Sequence, residues 1–257
     1  MKSRFSALVS ALAAGAVLLL AFSGIVNAAD PTSGNLPVSG PGGKGVCAVQ
    51  AAAVRPVSTL SLRAFGDCEI DRRLVTLTEL ANRISSSKVL TSADAATLTA
   101  EIGATRAGLN SRKSAIYTEV SLAALRADVT KIVTDYRVYL LVVPQVNLVN
   151  GADAVLAAAD KFTQVNTNLS ARIEAAKAAG KDTKAAQAAL DAMNEAVSTA
   201  VGLATPLPGK LLALTPAQYD AGTGGPVLAG ARADLLSARD DVRAALADAQ
   251  AARAALK

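Results

Sequence analysis

From about residue 57 onward, apolar residues recur at every third or fourth position, which is the spacing of amphipathic α-helices. Alternating strand-like patterns are nearly absent. Breaks in the pattern separate six apolar stripes, which lie at 70–84, 98–116, 122–143, 155–173, 186–200 and 228–256. Short connections between such helices favour antiparallel neighbours, so the pattern predicts an all-α antiparallel bundle of about six helices.

The last stripe is the most regular. Leu228, Leu235, Val242, Ala249 and Leu256 lie seven residues apart, and alanines occupy the intervening positions 231, 238, 245 and 252. This is a heptad pattern with small side chains in its contact surface, and small side chains let helices approach closely. We therefore expect the final helix to pack tightly against a neighbour.

The third stripe runs to residue 143 and is followed by Pro144. Proline removes a helical hydrogen bond and clashes with the preceding turn, so we expect a kink or break there, supported by the pair Asn150-Gly151. The segment at 80–84, Leu-Ala-Asn-Arg-Ile, also resembles Leu-Ser-Ala-Arg-Ile at 169–173. The similarity suggests two tandem three-helix units, 57–143 and 144–257, joined near Pro144. The alternative is one elongated bundle with a single core.

The first 28 residues have the order of a secretory leader. Lys2 and Arg4 precede an apolar stretch, and Val26-Asn27-Ala28 places compact side chains where signal peptidase cleaves. A membrane anchor is the alternative, but the apolar stretch is shorter than the ~20 residues that span a bilayer. Residues 29–56 are rich in Pro, Gly and Ser, which predicts a flexible segment. We expect a secreted or cell-surface protein, cleaved near Ala28.

Two cysteines, Cys47 and Cys68, are the only ones in the chain. In an exported protein an isolated pair most simply forms a disulfide, which would tether the N-terminal segment to the first helix. The alternative is two free thiols, one of them buried as a small hydrophobic group.

Composition excludes several classes of function. The chain has no histidine, which rules out Ser-His-Asp and Cys-His nucleophile systems and histidine-based zinc sites. Acidic residues are scattered over helical outer faces and match no calcium-loop pattern, so we expect no enzyme activity, no metal and no cofactor. The net charge is +5, but the Lys and Arg residues are scattered among Asp and Glu, and aromatic residues make up 3% of the chain. Nucleic-acid binding is therefore not expected.

The segment around Pro144 is the least generic part of the chain. Its candidate site residues are Tyr136, Arg137, Tyr139, Asn147 and Asn150, which would form a ligand or partner site where a helix break frees backbone polar groups. Alternatively, both tyrosines lie in the core with their hydroxyls at its edge. A membrane-active helix is a third interpretation, but the apolar run 138–149 is too short to span a bilayer, so membrane insertion is not expected.

Four short segments carry a resemblance to other proteins. They are Tyr136-Arg137-Val138-Tyr139, the Leu-Val-x-Pro-Gln pattern that follows it, Ala-Asp-Ala-Val at 152–155 and Arg-Ile-Glu-Ala-Ala-Lys at 172–177. They resemble a group of uncharacterised exported, alanine-rich helical proteins of high-GC Gram-positive bacteria. The resemblance implies export and a helical fold, and it transfers no activity or site residue.

Together these patterns favour a secreted or cell-envelope-associated interaction or structural protein without catalytic activity, bound to an envelope or extracellular protein. One alternative is a carrier that binds a small apolar ligand between helices near the tyrosines. The other is a membrane-active helical protein.

Overall fold

A computed structural model describes Cys47 and residues 58–257, and within residues 58–257 it contains helices and no strand. Six helices have 13 residues or more, which confirms the predicted all-α bundle of about six helices. They are α1 Thr59–Ser86, α2 Ser92–Thr118, α3 Leu122–Thr134, α4 Val143–Ala178, α5 Lys184–Ala204 and α8 Gly224–Ala254. Between α5 and α8 lie the short helices α6 Leu207–Leu212 and α7 Pro216–Asp220, and a π-helical turn, Val138–Val142, precedes α4.

Local sequence explains most helix ends. The hydroxyl of Thr91 accepts a hydrogen bond from the Asp94 backbone N–H at 3.1 Å, so Thr91 is the N-cap of α2. Gly180, with φ +74°, ends α4 in the left-handed conformation that glycine adopts easily. The N–H of Lys181 then reaches back to the carbonyl of Ala176 at 3.0 Å, satisfying an orphan carbonyl of the last turn.

The expected break at Pro144 is wrong in position. Helix α3 ends at Thr134, and the chain changes direction at residues 135–137, where Arg137 has φ +40°. Pro144 lies in the first turn of α4, where its missing N–H costs little, and Asn150-Gly151 lies inside α4. The preceding π-helical turn, closed by the Val143 N–H on the Val138 carbonyl, is wider than an α-turn.

Three details concern the second half of the chain. Thr183 directly precedes α5, and the Asp182 carboxylate accepts a hydrogen bond from the Lys184 N–H at 3.0 Å. Helix α6 was not predicted at all. Helix α8 starts at Gly224, and Pro226 lies in its first turn, a position that favours proline.

Helices α1, α2 and α3 pack together, and α4, α5 and α8 pack together, while α4 also contacts α1. The heptad positions of α8 are buried up to Ala252, and α8 makes its most extensive contact with α5, as the small side chains predicted. The described residues 58–257 belong to one compact unit. The division into 57–143 and 144–257 stays a prediction, and residues 1–28 and 29–56 lie outside the described residues apart from Cys47.

Candidate functional site

The predicted cysteine pair forms a disulfide. The sulfur atoms of Cys47 and Cys68 are bonded, and their Cα atoms are 5.7 Å apart. Cys68 is the tenth residue of α1, about two and a half turns after its start, so the bond ties Cys47 to the body of the bundle. A disulfide of this kind is compatible with an extracellular location.

Tyr136 packs against α2. An added Cβ at Gly108 would lie 2.5 Å from the Cε1 atom of the Tyr136 ring, so the ring lies directly on the glycine backbone. Tyr136 is half-buried and contacts the hydrophobic core. Its position agrees with the alternative interpretation of a core tyrosine, and Gly108 is the residue that makes room for it.

Arg137 holds the chain break in place. It is the one non-glycine residue with positive φ among the described residues, a conformation that costs a side chain of order 1 kcal/mol. Its guanidinium binds the carboxylate of Asp220 in α7, with Nε and Nη2 each 2.6 Å from Oδ1, and lies 5.8 Å from the centre of the Tyr219 ring. Asp220 and Tyr219 are 83 and 82 residues away in sequence, and no sequence pattern marked them.

Tyr139 faces α1 instead of α2. The guanidinium carbons of Arg72 and Arg73 lie 4.5 and 5.3 Å from the centre of its ring, within the range of cation–π attraction. Both arginines also bind Glu69. Burial raises the pKa of the Glu69 carboxyl, but the hydrogen bonds from Arg72 and Arg73 outweigh it and hold the pKa below its ordinary value. No sequence pattern marked this charged group on α1.

Asn147 binds α1, and Asn150 binds the residue that follows it. Arg83 Nη2 donates to Asn147 Oδ1 at 2.8 Å, and Ser87 Oγ donates to Asn150 Oδ1 at 2.8 Å. The carboxylate of Asp153, one turn further along α4, continues this row of polar contacts. These side chains therefore fix α4 against the second half of α1 and its following loop.

Gln145 makes a further connection that the sequence did not indicate. Its side chain is fully buried, and Nε2 donates to the carbonyls of Leu211 at 2.8 Å and Leu214 at 3.1 Å. It thereby satisfies two carbonyls at and after the end of the short helix α6. Its Oε1 has no hydrogen-bond partner among residues 58–257.

The five predicted site residues do not converge on one cavity. Tyr136 faces α2, Arg137 faces α7, and the other three face α1 or its following loop. Two cavities lie elsewhere, each an open groove at the tip of a helical hairpin. The groove between α1 and α2 has a volume of about 590 Å³ and is lined by Ile84, Ser85, Ser87, Leu90, Ala95, Ala96, Thr99 and Ala100. The groove between α4 and α5 is smaller, about 390 Å³.

No group of three or more His, Cys, Asp or Glu side chains in the described part of the chain converges in a way that could hold a metal ion. The helical stretch Leu122–Ala178 contains a window long and apolar enough to cross a membrane by length and composition, and 56% of that window is buried inside the fold. Such burial is also typical of a core helix in a protein that spans no membrane.

Comparison with known proteins adds no relative: no protein-family model, no curated protein and no solved structure matches the chain.

Proposed function

We propose that this chain is an exported helical protein without catalytic activity that works by binding a protein partner in or near the cell envelope. The observation that carries the proposal is an end patch formed by Leu60, Tyr117 and Val120, whose exposed fractions are 74, 62 and 83%. Single exposed apolar residues are common on protein surfaces, but a contiguous group is typical of interaction sites.

The members of the end patch lie at the same end of the bundle because α1 and α2 are antiparallel. Arg63, one turn after Leu60, donates from Nε to the carbonyl of Ile116 at 3.2 Å and from Nη2 to the carbonyl of Glu119. These acceptors lie next to Tyr117 and Val120. The first turn of α1 and the connection between α2 and α3 therefore present their apolar side chains at the same end of the bundle.

Export is supported by the disulfide, which persists in oxidising compartments outside the cytosol. The leader at 1–28 and its cleavage near Ala28 stay predictions. The chain has no histidine and therefore no histidine-based catalytic group, and it carries an apolar patch at one end. Both features favour a binding role over a catalytic one.

The test is site-specific photo-cross-linking on cells of the native host. A photoreactive phenylalanine analogue at Tyr117 should give a discrete set of cross-linked envelope or extracellular proteins. The matched control places the analogue at Thr199, an exposed position on α5 away from the end patch. Charged substitutions Leu60→Asp and Val120→Asp should remove the Tyr117 cross-links while leaving the helical circular dichroism unchanged. Recovery of only free monomer, or equal cross-linking from Tyr117 and Thr199, would reject the proposal.

A second candidate function is a carrier for a small apolar ligand. The groove between α1 and α2 is a better candidate for its binding site than the surroundings of the two tyrosines. Its lining includes Ile84 and Leu90 together with three alanines. Protein purified from the native host should then retain lipid or a metabolite detectable by mass spectrometry, and Ala96→Trp should remove it. Repeated ligand-free preparations would count against a carrier.

The membrane-active alternative depends on the apolar window within Leu122–Ala178. More than half of that window is buried in the core. Membrane insertion would require the window to leave the core. Release of dye from anionic and zwitterionic liposomes tests the alternative, and intact liposomes across acidic and neutral pH would dismiss it.

A further inference from the structure

Helix α3 is the shortest of the six long helices, and it packs on the hairpin formed by α1 and α2. Its fully buried residues are Leu125 and Ile132. A helix of 13 residues is marginal by itself in water, so α3 depends on its contacts with the hairpin. Because α1 and α2 also pack on each other, α3 can leave the hairpin without separating them.

The apolar contact of α3 is centred on Gly66 of α1. A Cβ atom added at Gly66 would lie 3.2 Å from Val129 Cγ2 and 3.6 Å from Ile132 Cδ1, both of α3. The same Cβ would lie 3.1 Å from Ile116 Cδ1 of α2. Gly66 therefore forms a notch that α3 covers, and Ile116 is fully buried beside this notch.

Three ion pairs hold α3 and the turn that follows it. Arg112 of α2 lies 2.8 Å from Asp128 Oδ1 and 3.2 Å from Asp135 Oδ2. Arg137 lies 2.6 Å from Asp220 Oδ1 of α7. The side chains of these pairs are 17–40% exposed, so dissolved salt screens their attraction. The attachment of α3 is therefore sensitive to ionic strength.

The backbone between α3 and α4 departs from regular geometry at two places. Arg137 has φ +40°, which is strained for a side chain other than glycine, and Val138–Val142 forms a π-helical turn. Strained residues and π-helical turns are frequent at functional sites. Once the ion pair with Asp220 breaks, Arg137 is free to relax, and this relaxation favours detachment of α3.

We propose that α3 is a strap that detaches from α1 and α2 when its ion pairs weaken, while the rest of the bundle stays folded. Residues 119–121 and 135–137 tether its two ends, so the detached strap stays close and can return. Detachment uncovers Gly66 and Ile116, and Ile116 directly precedes Tyr117 of the end patch. The strap therefore controls how much apolar surface the end patch offers, a consequence that rests on the proposed function.

Amide hydrogen exchange of the oxidised protein, measured by mass spectrometry at about 0.01 M and about 1 M NaCl, tests the detachment. Amides of Leu122–Thr134 should exchange about tenfold faster at the higher salt concentration. This change corresponds to ~1.4 kcal/mol lost from three partly exposed ion pairs. Helix α5 is the internal control and should exchange equally at both concentrations, because no ion pair within residues 58–257 involves it.

Two variants separate the ion pairs from the other contacts of α3. Arg112→Gln removes two of the three pairs, so α3 should exchange about fivefold faster than in the parent at low salt and respond only about twofold to added NaCl. Asp220→Asn should give a smaller increase, about twofold, that also reaches Val138–Val142. The matched control Arg243→Gln breaks an ion pair within α8 and should leave exchange of α3 as in the parent.

Two results would overturn the proposal. If amides of α3 exchange as slowly as those of α1 and α2 at both salt concentrations, α3 opens only when the whole bundle unfolds. If α3 exchanges faster than α1 and α2 but equally at both salt concentrations and in both variants, apolar contacts hold it and the ion pairs do not. Should Arg112→Gln lose its helical circular dichroism, Asp220→Asn makes the same comparison.

The exchange experiment needs no partner, so its result is separate from that of the photo-cross-linking test. A strap that fails to open leaves the Tyr117 cross-links as the test of the end patch. A strap that opens with salt in a protein that gives no specific cross-links would reject the proposed function and keep the strap.

Discussion

Glu101 offers a direct test of how strongly the bundle desolvates a charged side chain. It lies on α2, makes no hydrogen bond or ion pair among the described residues, and burial raises its pKa from 4.5 to about 7. The folded state holds the Glu101 proton more tightly than the unfolded chain does. The contribution of Glu101 to the free energy of unfolding is therefore fully present at low pH and is lost as pH rises from about 4.5 through about 7.

The size of the effect follows from the pKa. A rise of about 2.5 units corresponds to a ceiling of about 3.4 kcal/mol at 1.36 kcal/mol per unit. The Glu101 side chain is partly exposed, and solvent screening reduces the usable figure to about 1–2 kcal/mol. Glu101→Gln, which cannot ionise, should therefore leave stability unchanged near about pH 4 and raise it by about 1–2 kcal/mol near about pH 8.

The assay is urea unfolding followed by far-ultraviolet circular dichroism at both pH values, for the parent and Glu101→Gln. Other titrating groups cancel in the difference between the two proteins. Glu195→Gln, on the exposed face of α5, is the matched control for removing a glutamate charge. If Glu101→Gln changes stability equally at both pH values, burial is not what raises the pKa, and the reasoning fails.

Two further predictions concern the disulfide and the glycines of α2. Replacing Cys47 and Cys68 by serine opens a loop with a sequence separation of 21 and should lower the free energy of unfolding by about 3 kcal/mol; an unchanged urea midpoint would show that the tether constrains the unfolded chain very little. Gly103→Ala meets nothing within 4 Å and should stabilise α2 by about 0.5–1 kcal/mol, whereas Gly108→Ala meets the Tyr136 ring at 2.5 Å and should cost about 1–3 kcal/mol. Equal thermal shifts for the two alanine variants would contradict the packing of Tyr136 on α2.

The spacing of apolar residues predicted the core well, because it records which face of each helix turns inward. Ile70, Leu77 and Ile84 lie on one predicted stripe and are all buried. The heptads of α8 predicted a close helix contact for the same reason. Helix caps such as Thr91 are also local, because they depend on residues three positions apart.

The candidate site was predicted less well, because its geometry depends on a break that the sequence placed wrongly. Tyr136 and Tyr139, three residues apart, would share a face of a continuous helix. The chain instead turns at residues 135–137, so one ring packs on α2 and the other lies beneath two arginines of α1. The pairing of Arg137 with Asp220 is a contact between distant segments, and no local periodicity records such contacts.

The disulfide also determines how mechanical load would enter this protein. Tension that reaches Cys47 along the chain passes through the sulfur–sulfur bond to Cys68, the tenth residue of α1. The load therefore bypasses residues 48–57 and the first turns of α1. It acts on Cys68, inside a helix that packs against its neighbours. Peeling a helix from its end needs little force, whereas dragging it sideways from within must break many contacts at once. A chain held by its N-terminal region would resist flow or stretching through this one covalent cross-link.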